Sequence, residues 1–248
     1  MKTRQGDFMK DLEWIRTGVF AHRGLHDDEI PENSMNAFKE AIKYGYDIEL
    51  DIRITKDNQL VVIHDKNLKR LCGINKNIHT LIYEEIKSLN LKETNQKISL
   101  LKDVLSEIPI KTKLLLELKK SRKDKKFVKE FIKLMENFDH IYAVHSFNPS
   151  ILRHFKKLQP QIIRGHIIKS KPTNNIFINY VISRLPLYQY LRPDFINHRF
   201  EDLPNDKMDK LKNKGIMIIS YTVRTQKDLD FIKKRYDNAV FEGFRPKK

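Results

Sequence analysis

Short apolar runs alternate with amphipathic helical patterns along almost the whole chain, and this alternation limits the fold more than any other feature. Such an alternation is typical of βα units and of a parallel sheet. Eight apolar runs indicate strands, at Val19–His22, Asp47–Ile54, Lys113–Lys119, His140–Phe147, Ile162–Ile168, Asp194–Asn197, Ile216–Val223 and Ala239–Glu242. Helical patterns lie between them, at Ser34–Tyr44, Tyr83–Leu89, Leu100–Glu107, Lys125–Phe138, Pro149–Leu158, Asn175–Tyr190, Asp206–Lys214 and Gln226–Lys234. The sequence therefore predicts an α/β fold, a closed TIM (β/α)₈ barrel.

This barrel lacks a helix after its last strand, and we expect Asp7–Arg16 to cover the gap. At 248 residues the chain has the length of one such barrel, so we expect a single domain over residues 1–248. No window approaches the ~20 apolar residues of a membrane span, and Met1–Trp14 lacks the apolar region of a signal peptide. A single cysteine, Cys72, permits no internal disulfide. We therefore expect a cytoplasmic protein.

The chain carries 48 basic and 32 acidic residues, a formal net charge of +16. Such an excess attracts anions, which include phosphorylated substrates and anionic membrane surfaces. We expect a small-molecule phosphodiester as the partner, with weak association with anionic membrane surfaces as a further consequence of the charge. The alternative is a lysine-rich surface with no specific partner. No aromatic interleaving or nucleic-acid motif accompanies the charge, so we expect no nucleic acid partner, and no feature indicates an obligate protein partner.

The strand Asp47–Ile54 alternates strictly between apolar and charged residues. Alternate residues of a strand face opposite sides, so its isoleucines and its leucine share one face. Glu49 and Asp51 share the other face, roughly 7 Å apart. In a barrel they point inward, where a hard cation such as Mg²⁺ or Ca²⁺ would compensate their charge. The alternative is an antiparallel edge strand with one face in water.

A hairpin is predicted directly after this strand. Thr55–Gln59 has the pattern of a turn, and Leu60–His64 that of a returning antiparallel strand. With a turn of even length, His64 lies opposite Asp51, whereas a turn of odd length shifts the pairing by one residue. The fold expected is thus a barrel with a small hairpin insertion after the second strand.

Active sites of parallel barrels lie at the carboxyl ends of the strands. His22 ends the first predicted strand, and Glu117 interrupts the apolar run of the third. We therefore expect both on one rim with the two carboxylates of the second strand, where Glu117 would be a third metal ligand. Lys119 shares the face of Glu117 and could meet phosphate, or the two could simply pair with each other. Two histidines can transfer protons, and Arg23, beside His22, can hold a phosphate.

The order and spacing of these motifs resemble those of the glycerophosphodiester phosphodiesterase family. The matching segments are His22-Arg23-Gly24, Pro31-Glu32-Asn33-Ser34, Glu49-x-Asp51, Thr55-Lys56-Asp57, His64-Asp65, Glu117-x-Lys119, Ser146-Phe147-Asn148-Pro149 and Tyr221-Thr222-Val223. Three later segments resemble a subgroup common in low-GC Gram-positive bacteria, namely Arg164-Gly165, Arg192-Pro193-Asp194-Phe195 and Phe241-Glu242-Gly243-Phe244. Tyr221 stands where the family usually has tryptophan.

The resemblance implies a metal-dependent phosphodiesterase that cleaves glycerophosphodiesters to glycerol 3-phosphate and an alcohol. The resemblance assigns one Mg²⁺ or Ca²⁺ to three carboxylates, acid–base catalysis to two histidines and substrate binding to three further residues. The three carboxylates are those of Glu49, Asp51 and Glu117, and the two histidines are His22 and His64. The residues implied to bind substrate are Arg23, Lys119 and Tyr221. The attacking group could be water or the adjacent glycerol hydroxyl.

Two other functions remain open on the sequence alone. A lysophospholipase-D-like enzyme on the same barrel would need an apolar cleft near Phe147, Tyr221 and the Ile167–Tyr190 segment. A non-catalytic module that binds anions through a basic surface would show salt-dependent retention of DNA and no diesterase activity.

Overall fold

A computed structural model describes residues 10–169 and 190–247. Its strands are β1 (Phe20–His22), β2 (Asp47–Ile54), β3 (Leu60–Val62), β4 (Leu114–Leu118), β5 (Tyr142–Ser146), β6 (Arg164–Ile168), β7 (Phe195–Arg199), β8 (Met217–Val223) and β9 (Asn238–Phe241). All of them except β3 pair in parallel with their neighbours, and β1 pairs with both β2 and β9, which closes the ring. The predicted eight-stranded barrel is confirmed.

Most helices of the described residues coincide with predicted patterns, whereas two short ones, Glu13–Thr17 and Lys69–Cys72, were not predicted. The helices are α1 (Glu13–Thr17), α2 (Met35–Lys43), α3 (Lys69–Cys72), α4 (Tyr83–Ile86), α5 (Leu101–Glu107), α6 (Asp124–Met135), α7 (Pro149–Leu158), α8 (Asp206–Lys212) and α9 (Gln226–Arg235). Side chains cap several of them, as where Ser34 accepts a hydrogen bond from the backbone of Ala37 at the start of α2. The helix predicted at Asn175–Tyr190 lies outside the described residues except for Tyr190. No helix in the described ranges is both long and apolar enough to span a bilayer.

Strand β2 shows how the alternating pattern builds the barrel. Ile48, Leu50 and Ile52 are fully buried in the layer between the sheet and the surrounding helices. Glu49 and Asp51 point to the barrel interior and are also buried. The strand thus has an apolar outer face and a charged inner face, as its sequence predicts.

The amino-terminal end of the barrel is closed by α1. Ile15 is fully buried and packs with interior side chains of the barrel, including Phe20 and Leu115. We expected Asp7–Arg16 to cover the outer gap left by the missing helix. Residues 7–9 lie outside the described residues, and for residues 10–16 the expectation is wrong. Ile15 can bury its side chain completely against the open end of the barrel, where the interior residues would otherwise contact water.

The carboxyl-terminal tail covers that gap instead. Phe244 packs edge-on against Phe241 of β9, and the Tyr46 hydroxyl donates a hydrogen bond to the Pro246 carbonyl at 3.1 Å. The Arg245 guanidinium lies 4.3 Å from the centroid of the Tyr44 ring. These aromatic and cation–π contacts seal the outer side of the β9–β1 junction without a helix.

The segment between β2 and α5 contains the predicted hairpin and extends well beyond it. β3 pairs antiparallel with β2, with Ile54 opposite Leu60. The residues that follow have a hydrophobic core of their own, formed by Val61, Ile63, Leu68, Leu71, Ile78, Leu81, Ile86, Leu91, Ile98 and Leu100. This insertion therefore forms a packed wall beside the carboxyl-terminal rim of the barrel.

Candidate active site

The three carboxylates predicted to share a cation lie together at the carboxyl-terminal rim. Asp51 on β2 is the direct neighbour of Glu117 on β4, and Glu49 lies one pleat below on the same inner face. One oxygen of each lies within 4.8 Å of the others. The three residues are 2%, 0% and 6% exposed for Glu49, Asp51 and Glu117. Three acidic groups this close and this buried require compensating positive charge.

Two cationic side chains supply part of this charge. The Lys119 ammonium lies 2.7 Å from Asp51 Oδ1 and 2.6 Å from Glu117 Oε1. The Arg23 guanidinium lies 3.0 Å from Asp51 Oδ2, and its backbone N–H donates to Glu49 Oε2 at 3.0 Å. Lys119 and Arg23 therefore both lie against the carboxylate cluster. Glu117 pairs with Lys119, but it also belongs to the carboxylate cluster.

The environment separates the acidities of the three carboxyl groups. Burial raises the pKa of Glu117, and the nearby negative charges of Asp51 and Glu49 add to this effect. Burial acts in the same direction on Asp51, but the charges of Lys119 and Arg23 outweigh it and hold that pKa well below its usual range. Without a further cation, Glu117 is therefore the carboxyl group most easily protonated.

Asn33 locks Asp51 in place through two hydrogen bonds. Its side-chain amide donates to Asp51 Oδ2 at 2.8 Å, and its carbonyl oxygen accepts the Asp51 backbone N–H at 3.1 Å. Asn33 has φ +57°, a left-handed conformation that asparagine tolerates better than most residues. The asparagine of the Pro-Glu-Asn-Ser segment thus orients a carboxylate of the cluster.

His22 ends β1, and a residue that follows the neighbouring strand β9 holds its side chain. Its Nδ1 lies 2.5 Å from Oε2 of Glu242, which follows β9. This hydrogen bond lowers the pKa of Glu242 to about 2, so the carboxylate is ionised at neutral pH. His22 and the three carboxylates therefore share one rim, as the barrel rule predicts.

His64 is also on this rim, but not for the predicted reason. The turn centres on Asp57, so the backbone N–H of Ile63, not His64, bonds to the Asp51 carbonyl, at 2.9 Å. The predicted register is therefore wrong by one residue. The chain leaves the strand after β3, and His64 Nδ1 meets Asp65 Oδ1 at 2.8 Å.

Two features of its surroundings fix the position and the charge of His64. Arg53 Nε donates to the His64 carbonyl at 2.8 Å and holds this backbone against β2. Burial lowers the pKa of His64, and the positive charges of Lys119 and Arg23 lower it further although Asp51 opposes them. The neutral imidazole is thus favoured.

Tyr221 stands on the rim beside a second aromatic ring. The ring centroids of Tyr221 and Phe147 are 5.9 Å apart in an edge-to-face arrangement. The Tyr221 hydroxyl donates to the Ile168 carbonyl at 3.3 Å, and burial raises its pKa above the ordinary value. The two rings form an aromatic wall at the mouth of the barrel.

A model of the glycerophosphoryl diester phosphodiesterase family matches residues 22–242, which is most of the chain. The chain belongs to this family. A glycerophosphodiester phosphodiesterase from Caldanaerobacter subterraneus subsp. tengcongensis is 29% identical over 246 residues, which cover 91% of this chain and 94% of that one. The Homo sapiens lysophospholipase D GDPD1 is 40% identical over 102 residues, which cover 36% of this chain and 32% of the human one.

Solved structures of the family have the same fold. A phosphodiesterase from Oleispira antarctica, in complex with the product sn-glycerol-3-phosphate, superimposes with a TM-score of 0.78 at 21% identity. The match covers 91% of this chain and 92% of that one. The barrel predicted from the sequence is therefore the fold of this family.

Sequence reasoning missed four residues of this member of the family. Glu242, Asn33 and Arg53 support His22, Asp51 and His64, and His145 lies beneath the cluster, 3.6 Å from Glu49 Oε1. His145 and Arg53 carry a usable signal, since each is a polar residue on the inner face of a barrel strand. Glu242 follows the last strand, a position equivalent to the rim positions of the predicted ligands.

Proposed function

We propose that this chain hydrolyses glycerophosphodiesters to glycerol 3-phosphate and an alcohol, with one divalent cation held by Glu49, Asp51 and Glu117. The observation that carries the proposal is the buried cluster of these three carboxylates on the rim of a barrel of this family. Two histidines and two cationic side chains border the cluster, which supports phosphodiester chemistry over simple anion binding.

The donor set fits a hard divalent cation. Carboxylate oxygens are the ligands that Mg²⁺ and Ca²⁺ prefer, and the three acidic groups contact only two cationic side chains, Lys119 and Arg23, among the described residues. A further positive charge would complete the compensation. When bound, such a cation polarises a phosphoryl oxygen and stabilises negative charge in the transition state.

We assign proton transfer to His22 and His64. Glu242 accepts the Nδ1 hydrogen of His22, which leaves Nε2 as the nitrogen that exchanges a proton with the substrate. His64 is held by Asp65 through its own Nδ1, and its lowered pKa supports a role as a proton acceptor. One histidine removes a proton from the attacking water or glycerol hydroxyl while the other protonates the departing oxygen.

The scissile phosphate needs donors on both sides of the cluster. Arg23 and Lys119 are the cations nearest the carboxylates, and each is largely buried and held by ion pairs. Charge-assisted hydrogen bonds from such preorganised groups are strong. We assign both residues to the phosphate and Tyr221, with its neighbour Phe147, to the wall against which the substrate packs.

Long-chain lysophospholipids are a second candidate substrate class. The half-exposed Phe147 beside Tyr221 favours some apolar contact, and a human relative is named a lysophospholipase D. The larger part of the apolar segment Ile167–Tyr190 that such specificity would need lies outside the described residues. Five lysine and arginine side chains line the cavity beside the cluster, which supports a substrate with a charged rather than an apolar alcohol.

A substrate panel tests this function. Purified protein is stripped of metal and assayed with Mg²⁺ or Ca²⁺ on glycerophosphocholine, glycerophosphoinositol and lysophosphatidylcholine. Release of glycerol 3-phosphate from the two glycerophosphodiesters is followed with a coupled dehydrogenase, and release of choline from lysophosphatidylcholine with a choline oxidase. The Asp51→Asn variant serves as the inactive control. Metal-dependent release from the glycerophosphodiesters is expected. Salt-sensitive DNA retention without any hydrolysis would instead favour a non-catalytic anion-binding module.

We further propose that the enzyme works in the cytoplasm as a protein without an obligate partner. The single cysteine, Cys72, is half-buried and free, and burial raises the pKa of its thiol to about 11. Such a thiol is poorly reactive, which suits a reducing compartment. Fractionation of cells that express the chain, with and without a high-salt wash, would separate cytoplasmic protein from protein weakly bound to anionic membranes.

A further inference from the structure

A cavity of about 510 Å³ opens beside the carboxylate cluster, on the side of His64. It lies between the insertion, the end of β5 and the loop that joins β4 to α6. We call it the cationic cleft, because Arg53, Lys66, Lys119, Lys120 and Arg122 line it. The only carboxylate among its described lining residues is Glu117, which Lys119 already neutralises.

Three of these cations carry charge that no acidic group balances. Within the described ranges, no carboxylate oxygen lies within 4.0 Å of the charged nitrogens of Lys66, Lys120 or Arg122. The cleft differs in this respect from the rest of the rim. The arginines elsewhere on the rim are held by carboxylates, in the pairs Arg23–Asp51, Arg70–Glu32, Arg199–Asp202 and Arg224–Glu242.

These cations converge on one place although they come from separate segments. His79, in the insertion, lines the same cleft, and its pKa is lowered by partial burial and by the positive charges of Arg122, Lys66 and Arg53. The positive potential therefore reaches across the cleft from the insertion to the β4–α6 loop. A general excess of surface lysine would not by itself concentrate uncompensated charge around one cavity.

The cleft begins where the proposed reaction takes place. His64 and Lys119 line it and also border the carboxylate cluster, so a group bound in the cleft is continuous with the scissile phosphate. Its volume is in the range that holds a small ligand. The glycerol half of a glycerophosphodiester has no charge, so an anionic group in the cleft must belong to the alcohol half.

We propose that the preferred substrates are glycerophosphodiesters whose alcohol carries a second phosphate, and that the cationic cleft binds this phosphate. This inference rests on the proposed function and names the substrate class. Separate lysine and arginine side chains from several segments can surround a phosphate dianion, which accepts hydrogen bonds through three oxygens. Lys66, Lys120 and Arg122 are the residues that distinguish this substrate from one with a neutral alcohol.

The test compares two substrates that differ only in that phosphate. Glycerophosphoinositol and a glycerophosphoinositol monophosphate are hydrolysed under the same conditions, and release of glycerol 3-phosphate gives kcat/KM for each. The cleft variant combines Lys66→Gln, Lys120→Gln and Arg122→Gln. The control variant combines Lys111→Gln, Lys157→Gln and Lys214→Gln, which remove the same charge from exposed positions at the opposite end of the barrel.

We expect the wild-type protein to prefer the phosphorylated substrate by about tenfold or more, as a few charge-assisted contacts to one phosphate provide. The cleft variant should lose this preference and the control variant should keep it. Equal kcat/KM values for both substrates in the wild type, or an unchanged preference in the cleft variant, would overturn the inference and leave the proposed function intact. If the wild-type protein hydrolyses neither substrate with Mg²⁺ or Ca²⁺, both this inference and the proposed function are overturned.

Discussion

The two histidines of this site are supported in opposite ways. His22 receives its partner, Glu242, from the residue that follows β9, 220 positions away in the sequence, and Arg224 pairs with the same carboxylate. His64 receives its partner, Asp65, from the next residue. It faces an open cleft in which Lys66, Lys120 and Arg122 have no carboxylate oxygen within 4.0 Å among the described residues. On the His22 side, ion pairs between residues far apart in the sequence close the rim. On the His64 side, the histidine is held by its neighbour in the sequence and the rim is open.

This difference separates the support of a histidine by the barrel from the binding of the alcohol half of the substrate beside the insertion. His22, to which we assign proton transfer, is held by the barrel itself, because Glu242 follows β9 and His22 ends its neighbour β1. The His64 side borders the insertion, which has a separate hydrophobic core. Changes in the insertion can therefore alter what the cleft binds while the β1–β9 seam remains unchanged.

The largest loss of activity is expected on substitution of Asp51, which lies between the His22 side and the His64 side of the rim. Asp51 contacts Arg23 on one side and Lys119 on the other, so Asp51→Asn should weaken metal binding and lower kcat/KM by about 10³-fold or more. The change keeps the size of the side chain. Calorimetric titration with Mg²⁺ and Ca²⁺ and steady-state kinetics measure both effects.

The exposed Asp28→Asn variant, which removes a charge outside the cluster, serves as the control for Asp51→Asn. Unchanged metal affinity in Asp51→Asn would contradict the assignment of a shared cation to the cluster.

The next effect tests whether both sides take part in chemistry. His22→Ala and His64→Ala should each lower kcat by ~10²-fold or more with little change in KM, because each removes one proton transfer. The wild-type rate should be bell-shaped in pH, since one acid and one base are required together. His154→Ala, on α7, is the matched control. A variant of either histidine with near-normal kcat would end its assignment as a catalytic residue.

A smaller effect compares the two supporting carboxylates. Glu242→Gln should lower kcat about 10–100-fold, by analogy with the loss of a group that orients a metal-ligating histidine. Asp65→Asn should cost less, because Arg53 still holds the His64 carbonyl. Kinetics of the two variants in parallel, with circular dichroism to verify folding, measure the difference. A larger loss of kcat in Asp65→Asn than in Glu242→Gln would contradict the proposed difference between the two histidines.

The smallest effect concerns stability in acid. The pKa of Glu242 is lowered to about 2, so this carboxylate contributes stability above its ordinary value of ~4.3 and loses it as the pH falls through about 2. The free energy of unfolding should therefore differ between wild type and Glu242→Gln at pH 6, and the difference should shrink toward pH 2. Urea titrations at several pH values measure it. A difference that is constant down to pH 2 would contradict the ion pair.

Local periodicity made most of the fold predictable from the sequence. The strands and their inner and outer faces follow from the alternation of apolar and polar residues, as in Asp47–Ile54, whose bounds are as predicted. Because the carboxyl ends of parallel strands meet at one rim of a barrel, the sequence also predicted that Glu117 lies near Glu49 and Asp51. These inferences needed only the order of residues along each strand.

What was missed depends on turn length or on distant contacts. The hairpin turn has an odd length, with Asn58 at φ +67°, and this conformation changes the register by one residue. An asparagine in a turn permits such a conformation but does not require it. Glu242 could not be assigned to His22 because only closure of the barrel brings the first and last strands together.

The seam between β1 and β9 also has a consequence for how the enzyme is made. His22 is synthesised 220 residues before Glu242. Pairings with such a large sequence separation form late, after the intervening units have folded. A nascent or truncated chain can therefore hold the carboxylate cluster and yet lack an oriented His22. On the proposed role of His22, catalysis begins only after β9 has paired with β1, so an unclosed barrel is inactive.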